Sequence, residues 1–190
     1  KRKGNEKMYQ EIVLPTLISF AISVILGPVL IPFLRRLKVG QTVRDEGPQS
    51  HLKKSGTPTM GGLLILTAMT VTSLVYMKRY PDILPILFLT LGFGLIGFLD
   101  DYIKVVKKRN LGLKPKQKLV MQFLIAIAYL ACIYLAGDHS TIVPIPFIGQ
   151  LDLGLFYYPL MVLLIVGAVN AVNLTDGIDG LASSGTFIVG

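Results

Sequence analysis

Long apolar runs separated by short polar stretches are the dominant pattern along this 190-residue chain. Five of the runs have about the 17–25 residues that cross the hydrocarbon core of a bilayer. They cover residues 12–34, 60–77, 83–99, 119–136 and 156–172. Because lipid-exposed backbone must satisfy its own hydrogen bonds, each run is predicted to be a helix. The pattern therefore predicts an all-α, polytopic transmembrane helix bundle.

The two ends of the chain lead to separate expectations. A sixth apolar run begins near Leu181 and continues to Gly190, the last residue. A chain that stops within such a run is expected to be the N-terminal part of a longer protein. Residues 1–190 are predicted to form a single integral membrane domain. Residues 1–7 form a basic leader before Met8. Met8 is a candidate for the natural start of the protein, and if the protein starts there, the leader is foreign to it.

Composition supports the membrane assignment and narrows the partners. The chain is 52% hydrophobic and only 16% charged, whereas about 25% charge is typical of soluble domains. The net charge of +8 suits nucleic acid, anionic lipid headgroups or phosphorylated substrates. The apolar blocks favour the last two, and no nucleic-acid partner is predicted. Cys132 is alone and has no partner for an internal disulfide.

The loops differ in charge, which predicts the orientation. Lysines and arginines are concentrated in residues 35–54 and 104–118, whereas residues 137–155 contain none. Because positive loops stay in the cytoplasm, the N-terminus is predicted to lie outside, although the basic leader argues the other way. On the outer side, residues 141–153 have short alternating stretches around Gly149 and Gln150. They predict a small β-hairpin. The prolines in this segment weaken that prediction, because proline cannot donate a backbone hydrogen bond.

Two carboxylates, Asp100 and Asp101, end the third apolar run. A carboxylate at a membrane boundary is costly to desolvate, so it is a functional-site candidate. Adjacent helical residues point about 100° apart. One carboxylate is therefore expected to face a cleft while the other makes a structural hydrogen bond. The alternative is that both are solvated at a helix end.

After the fifth run, amides and carboxylates recur every three residues: Asn170, Asn173, Asp176 and Asp179. On a straight helix each step of three drifts by about 60°, so the set would fan around half the circumference. Gly177 and Gly180 predict that the helix ends near Asn173 or Thr175 instead. Asp176 and Asp179 would then lie on a loop that curls over a polar cleft. The Asp-Gly-Ile-Asp spacing alone is weak support for a metal site, since simple turns share it.

Two further segments are candidates for binding anions. Residues 111–118 are rich in amines. Among the lysines near Asp100 and Asp101, we single out Lys116 and Lys104 as able to clamp phosphate. The other lysines are explained by positive-inside charge. Thr57 or Thr59 is predicted to cap the second helix, whose free N–H groups would favour an anion; capping alone is the alternative.

Four segments together resemble the polyprenyl-phosphate N-acetylhexosamine-1-phosphate transferases, the glycosyltransferase 4 family. They are residues 54–62 (KSGTPTMGG), 97–104 (GFLDDYIK), 111–116 (LGLKPK) and 170–182 (NAVNLTDGIDGLA). They occur in the order of the family and are predicted on one membrane face. The first segment is similar to the branch that uses a muramoyl-pentapeptide nucleotide. The resemblance implies a bundle of about ten helices in the bacterial inner membrane, with a cytoplasmic active site and a homodimer.

The resemblance also implies a reaction. Undecaprenyl phosphate would attack the β-phosphorus of UDP-N-acetylmuramoyl-pentapeptide, releasing UMP and forming lipid I. Mg²⁺ would neutralise the pyrophosphate and the leaving UMP. Asp100 would be the base for the lipid phosphate or, in a rival mechanism, a covalent nucleophile. A phosphate that is already ionised hardly needs a strong base, so Asp100 is expected mainly to position it.

The remaining roles also come from the resemblance. Asp101 would support the site electrostatically and Lys116 would hold phosphate. The nucleotide and sugar would contact residues from three segments: Lys54, Thr59, Lys104, Asn170, Asn173, Asp176 and Asp179. Asp176 is the tentative metal ligand, since the principal ligand of the family lies in a later Gly-Asp motif expected beyond residue 190.

Three alternatives remain from the sequence. A sister transferase would move a different N-acetylhexosamine-1-phosphate to a polyprenyl phosphate. A cation-coupled transporter would also carry intramembrane acids, but usually near the middle of the bilayer. A purely structural membrane scaffold leaves the aspartates unexplained.

Overall fold

A computed structural model describes residues 9–36, 60–106, 112–146, 149–175 and 181–189. This part of the chain is mainly helical, with α1 (Leu14–Arg36), α2 (Gly62–Tyr76), α3 (Ile83–Val106), α4 (Pro115–Leu135), α5 (Tyr157–Thr175) and α6 (Leu181–Val189). A two-stranded sheet, β1 (Ile142–Ile145) and β2 (Gly149–Asp152), lies between α4 and α5. A π-helical turn, Tyr9–Val13, precedes α1, and a 3₁₀ turn, Gly154–Phe156, precedes α5. The predicted all-α fold with a small hairpin is confirmed.

Within the described residues, four helical segments are long and apolar enough to cross a membrane: Gln10–Arg35, Ile83–Val105, Pro115–Leu135 and Gly154–Thr175. Only 11–17% of an apolar 18-residue window in each segment is buried. Apolar side chains such as Phe20, Ile65 and Leu124 are more than half exposed. In water such surfaces would cost free energy, so this exposure is typical of helices that face lipid or further protein.

The chain divides into two compact units, Lys1–Pro115 and Lys116–Gly190. In the first unit, α1 packs on α2 and α2 packs on α3. Gly94 allows the second contact, because a Cβ there would lie 2.5 Å from Leu66 Cδ1. A small residue at such a contact lets neighbouring helices approach closely. Gly97 has no neighbour within 4 Å of an added Cβ.

Helix α2 is shorter than predicted. The apolar run begins at Met60, but the backbone there is left-handed, with φ of 68°, and the helix begins at Gly62. Gly61 is the N-cap and has no side chain that could cap the helix. Thr57 and Thr59 lie outside the described residues, so the predicted capping by either of them stays a prediction. Fifteen residues rise only about 22 Å, less than the roughly 30 Å of the hydrocarbon core. Hydrogen-bonded turns extend the helix at both ends.

Helix α3 is longer than predicted. The apolar run stops at Leu99, but the helix continues to Val106. Asp100 and Asp101 therefore lie within the last two turns of the helix and not at its end. The helical backbone continues because its hydrogen bonds do not require apolar side chains, and because Lys104 pairs with both acids across one helical face.

Two hydrogen bonds tie the start of α1 to the turn between α2 and α3. Arg79 Nη2 donates to Gln10 Oε1 at 3.1 Å, and Tyr80 Oη donates to Glu11 Oε1 at 3.0 Å. Asp100 lies 17 residues beyond Ile83, which is about 26 Å along α3 at 1.5 Å per residue. The acids and the N-terminal segment thus lie at opposite ends of the first unit.

In the second unit the described core is small. Gln122, Ala126 and Leu130 of α4 are buried, as is Val166 of α5. Tyr134 of α4 makes edge contacts with His139 and Tyr158, at ring-centroid distances of 4.3 and 6.0 Å. Aromatic side chains at helix ends are typical of membrane–water interfaces.

The hairpin pairs β1 and β2 in antiparallel register, with Ile142 opposite Asp152 and Ile145 opposite Gly149. Gly149 adopts a φ of 108°, which favours glycine. Asp152 closes the open end of the hairpin by accepting hydrogen bonds from the Thr141 hydroxyl and the Gly154 N–H. These hydrogen bonds lower the pKa of Asp152 from its ordinary value, the one from Thr141 more than the one from Gly154. The predicted hairpin is therefore present.

Candidate active site

The acidic end of α3 forms an ion-paired cluster. Lys104 Nζ lies 2.7 Å from Asp100 Oδ2 and 3.2 Å from Asp101 Oδ1. Residues three and four apart share a helical face, so one ammonium group reaches both carboxylates although adjacent side chains diverge. The cluster carries a formal charge of −1. Both acids pair with Lys104, the lysine that the sequence indicates as able to clamp phosphate.

The two carboxylates differ in their surroundings. The Asp100 side chain is 14% exposed and that of Asp101 is 35% exposed. Asp100 Oδ1 accepts a hydrogen bond of 2.8 Å from the Leu113 backbone N–H. The sequence predicted that one carboxylate would make a structural hydrogen bond while the other faced a cleft. Asp100 makes such a hydrogen bond, and the cleft stays a prediction. A carboxylate held by a backbone N–H and an ammonium group is restricted in orientation.

The chain at Gly112 lies directly against Asp100. A Cβ at Gly112 would lie 2.6 Å from the Asp100 carbonyl oxygen and 2.9 Å from Asp100 Cγ. These distances are shorter than van der Waals contact, so the position accepts only glycine without movement. Sequence reasoning did not single out Gly112. The signal was its place in the quoted segment 111–116, where only Lys116 was singled out.

In the second unit, Asn170 of α5 contacts α4. Its Nδ2 donates to Gln122 Oε1 at 2.7 Å and to the Val166 carbonyl oxygen at 2.8 Å. Gln122 is 1% exposed. Both N–H groups of the Asn170 amide are thus used within the helix pair, which leaves the carbonyl oxygen to meet a ligand. Gln122 was also missed, although a polar residue inside an apolar run is itself a signal.

The other predicted site residues are less informative. Asn173 and Lys116 are described and exposed. Lys54, Thr59, Asp176 and Asp179 lie outside the described residues, so their roles stay predictions. Helix α5 is described as far as Thr175, and the predicted loop that follows it lies outside the described part.

The described residues do not provide a metal site. No group of three or more histidine, cysteine, aspartate or glutamate side chains is close enough to hold an ion within that part of the chain. Asp100 and Asp101 come nearest to one, but the Lys104 ammonium group lies between them. A bound cation would have to displace or repel this ammonium group.

The pair of Gln122 and Asn170 is expected to stabilise the second unit. Gln122→Leu and Asn170→Leu should each lower the free energy of unfolding. A double-mutant cycle should give a coupling of about 0.5–2 kcal/mol, the range for hydrogen bonds between membrane helices. Reversible unfolding of the four proteins in detergent would measure it.

Gln122→Leu with Asn173→Leu is the matched control, because Asn173 is exposed one turn further along α5. That cycle should show coupling near zero. Equal coupling in the two cycles would contradict the assigned contact.

Comparison with known proteins completes the description of the site. The model of glycosyl transferase family 4 matches residues 83–190. The first signature of the phospho-N-acetylmuramoyl-pentapeptide-transferases matches residues 54–66. A protein with the name phospho-N-acetylmuramoyl-pentapeptide-transferase from Bacillus subtilis strain 168 is 53% identical over 182 residues, 93% of this chain and 56% of the relative. One of the same name from Caldicellulosiruptor bescii is 55% identical over 179 residues, 93% of this chain and 55% of the relative. The chain spans about half the length of these curated relatives.

Proposed function

Because the chain belongs to glycosyl transferase family 4, within its phospho-N-acetylmuramoyl-pentapeptide-transferases, we propose that the protein makes lipid I. It would transfer phospho-N-acetylmuramoyl-pentapeptide from UDP to undecaprenyl phosphate in a bacterial inner membrane, in peptidoglycan biosynthesis. The observation that carries the proposal is the identity of more than half of the residues, over 93% of the chain, with relatives that have this name.

The proposed chemistry is a displacement at phosphorus. An oxygen of undecaprenyl phosphate forms a bond to the β-phosphorus of the nucleotide. The bond from that phosphorus to the oxygen bridging it to the α-phosphorus breaks, and UMP leaves with that oxygen. Since the lipid phosphate is ionised at neutral pH, the main demand on the protein is to position two anions and offset their repulsion.

Asp100 and its neighbours suit the acceptor side of this reaction. Asp100 is the more buried carboxylate and is fixed by Leu113 and Lys104, so it would orient the lipid phosphate or accept its proton. A covalent role for Asp100 remains the rival mechanism. Lys104 would exchange its bonds to the carboxylates for a bond to phosphate, while Asp101 would supply negative charge that keeps this ammonium group in place. Lys116 would hold a second phosphate.

The donor side is proposed from residues of other segments. Asn173, Asp176 and Asp179 would bind the nucleotide and sugar, with Lys54 and Thr59 at the rim. Asn170 would contribute its carbonyl oxygen, because its N–H groups bond to Gln122 and Val166. Mg²⁺ is proposed as the cofactor, with Asp176 as a ligand, and it would neutralise the pyrophosphate.

The orientation is proposed from charge and from the fold. The basic loops would place the acids in the cytoplasm and the N-terminus outside. Gln10 and Glu11 form hydrogen bonds with the α2–α3 turn. These bonds support the proposal that the start of α1 and the acids of α3 lie at opposite membrane faces. A homodimer is likewise a proposal. The position of Asp100 in the last two turns of α3 argues against a transporter, whose acids usually lie at mid-bilayer.

A substrate comparison tests the proposed function. Purified full-length protein in detergent with undecaprenyl phosphate should release UMP from UDP-N-acetylmuramoyl-pentapeptide at least 100-fold faster than from UDP-N-acetylglucosamine. A site built for the peptide-bearing sugar loses binding contacts when that part of the substrate is removed. Chromatography of the nucleotide and lipid products would measure both rates. Preference for UDP-N-acetylglucosamine would favour a sister transferase instead.

A further inference from the structure

We propose that Gly112 is a positioning residue for Asp100. The absence of a side chain at Gly112 lets the chain lie on the Asp100 carboxylate, and this places the Leu113 N–H where it fixes Oδ1. The inference deepens the proposed function, since it rests on Asp100 acting in the transfer. Neither the family match nor the ion pair with Lys104 assigns a role to this glycine.

Space, and not backbone conformation, is what requires glycine here. The φ of Gly112 lies outside the left-handed region, unlike those of Gly137, Gly149 and Gly154. A Cβ would meet the Asp100 carbonyl oxygen at 2.6 Å and Cγ at 2.9 Å, and would lie closer still to Oδ1. Real Cβ atoms essentially never lie within 3.0 Å of another heavy atom. The Asp100 carbonyl oxygen belongs to the backbone of α3 and cannot easily move. With a Cβ at position 112, either residue 112 or the Asp100 carboxylate must therefore move.

The carboxylate has little freedom to move without losing a partner. Leu113 N–H binds Oδ1 and Lys104 Nζ binds Oδ2, so each oxygen has a partner. If the chain at residue 112 retreats, the Leu113 hydrogen bond of 2.8 Å lengthens. If the carboxylate turns instead, its bond to Lys104 changes. In both cases Asp100 loses the orientation that these partners give it, and misplacement of a reacting group by about 1 Å can cost about 100-fold in rate.

Gly112→Ala in the full-length protein is the test, and Gly97→Ala is its matched control. Gly97 lies one turn before Asp100 on the same helix, and an added Cβ there meets nothing within 4 Å. Gly112→Ala should lower kcat for UMP release at least tenfold while KM for the nucleotide changes less than threefold. Gly97→Ala should stay within threefold of wild type in both. Equal activity of Gly112→Ala and wild type would overturn the proposal.

Hydrogen–deuterium exchange provides a readout that does not depend on activity. The segment 112–114 should exchange at least tenfold faster in Gly112→Ala and in Asp100→Ala than in wild type, because Asp100→Ala removes the acceptor of the Leu113 N–H and Gly112→Ala separates the N–H from it. The rest of α3 and the Gly97→Ala protein should keep wild-type protection. Unchanged protection of this segment in Asp100→Ala, or in a folded Gly112→Ala, would also overturn the proposal. If wild type makes no lipid I, the proposed function fails, and exchange alone decides whether Gly112 positions Asp100.

Discussion

Asp100→Asn in the full-length protein is expected to lower transfer by about 10²–10⁴-fold, the contribution of a positioned acid–base group, while the protein stays folded. The fold should survive because the asparagine keeps an oxygen that can accept the Leu113 hydrogen bond. Lys104 would also keep a partner, since Asp101 Oδ1 lies 3.2 Å from Nζ. The substitution therefore removes the charge of Asp100 with little change in packing. UMP release and thermal unfolding of the same preparation would measure the two effects.

Asp82→Asn is the control for Asp100→Asn. Asp82 is an exposed carboxylate on the turn before α3, so its loss removes one negative charge at the other end of the same helix. Its turnover should match wild type. Near-normal turnover of Asp100→Asn, with a folded protein, would remove Asp100 from the mechanism. Loss of folding in Asp100→Asn alone would show instead that the carboxylate is chiefly structural.

Removal of Mg²⁺ is expected to abolish transfer, because displacement at a pyrophosphate brings anionic oxygens together and divalent ions neutralise them. Excess chelator should reduce UMP release to background, and Mg²⁺ added above the chelator should restore it. Asp176→Asn should raise the Mg²⁺ concentration that gives half of the maximal rate. Titration of the rate against free Mg²⁺ would measure this shift.

Asp152→Asn is the matched control for Asp176→Asn, since Asp152 is a carboxylate on the hairpin with partners of its own. It should leave the Mg²⁺ titration unchanged. Undiminished activity in excess chelator would remove the metal from the mechanism. An unchanged titration in Asp176→Asn would remove Asp176 as a ligand and leave the metal requirement standing.

The length of α3 explains how acids can occur so close to a lipid-facing helix. Its 24 residues rise about 36 Å, which exceeds the roughly 30 Å hydrocarbon core. Counted from Ile83, Asp100 and Asp101 lie about 26 and 27 Å along the helix, close to the end of a core of that thickness, and Lys104 lies about 32 Å along it, in the excess length. Their mutual pairing reduces the remaining cost of holding charge near the bilayer. The same placement suits a water-soluble nucleotide and a lipid-borne phosphate that meet at one surface.

Much of the fold follows from the sequence, because the length of an apolar run is enough to predict a membrane helix. A run of about 20 apolar residues becomes a helix in lipid whatever its neighbours are. The alternating residues near Gly149 likewise predicted the hairpin. The helix bounds were less accurate, since Met60 turns out of α2 and α3 continues past its apolar run. Hydrogen bonding of the backbone, and not hydropathy, decides where a helix ends.

The sequence by itself determined the class of the molecule, its spans and the kinds of residue at its site. Tertiary structure decided which of those residues touch. Lys104 reaches both acids, Leu113 binds Asp100, and Asn170 bonds to Gln122 48 positions away. Periodicity reports only which residues share a face of one helix, whereas Gly112 contacts Asp100 from outside that helix. Contacts of this kind depend on packing in three dimensions, which no local pattern records.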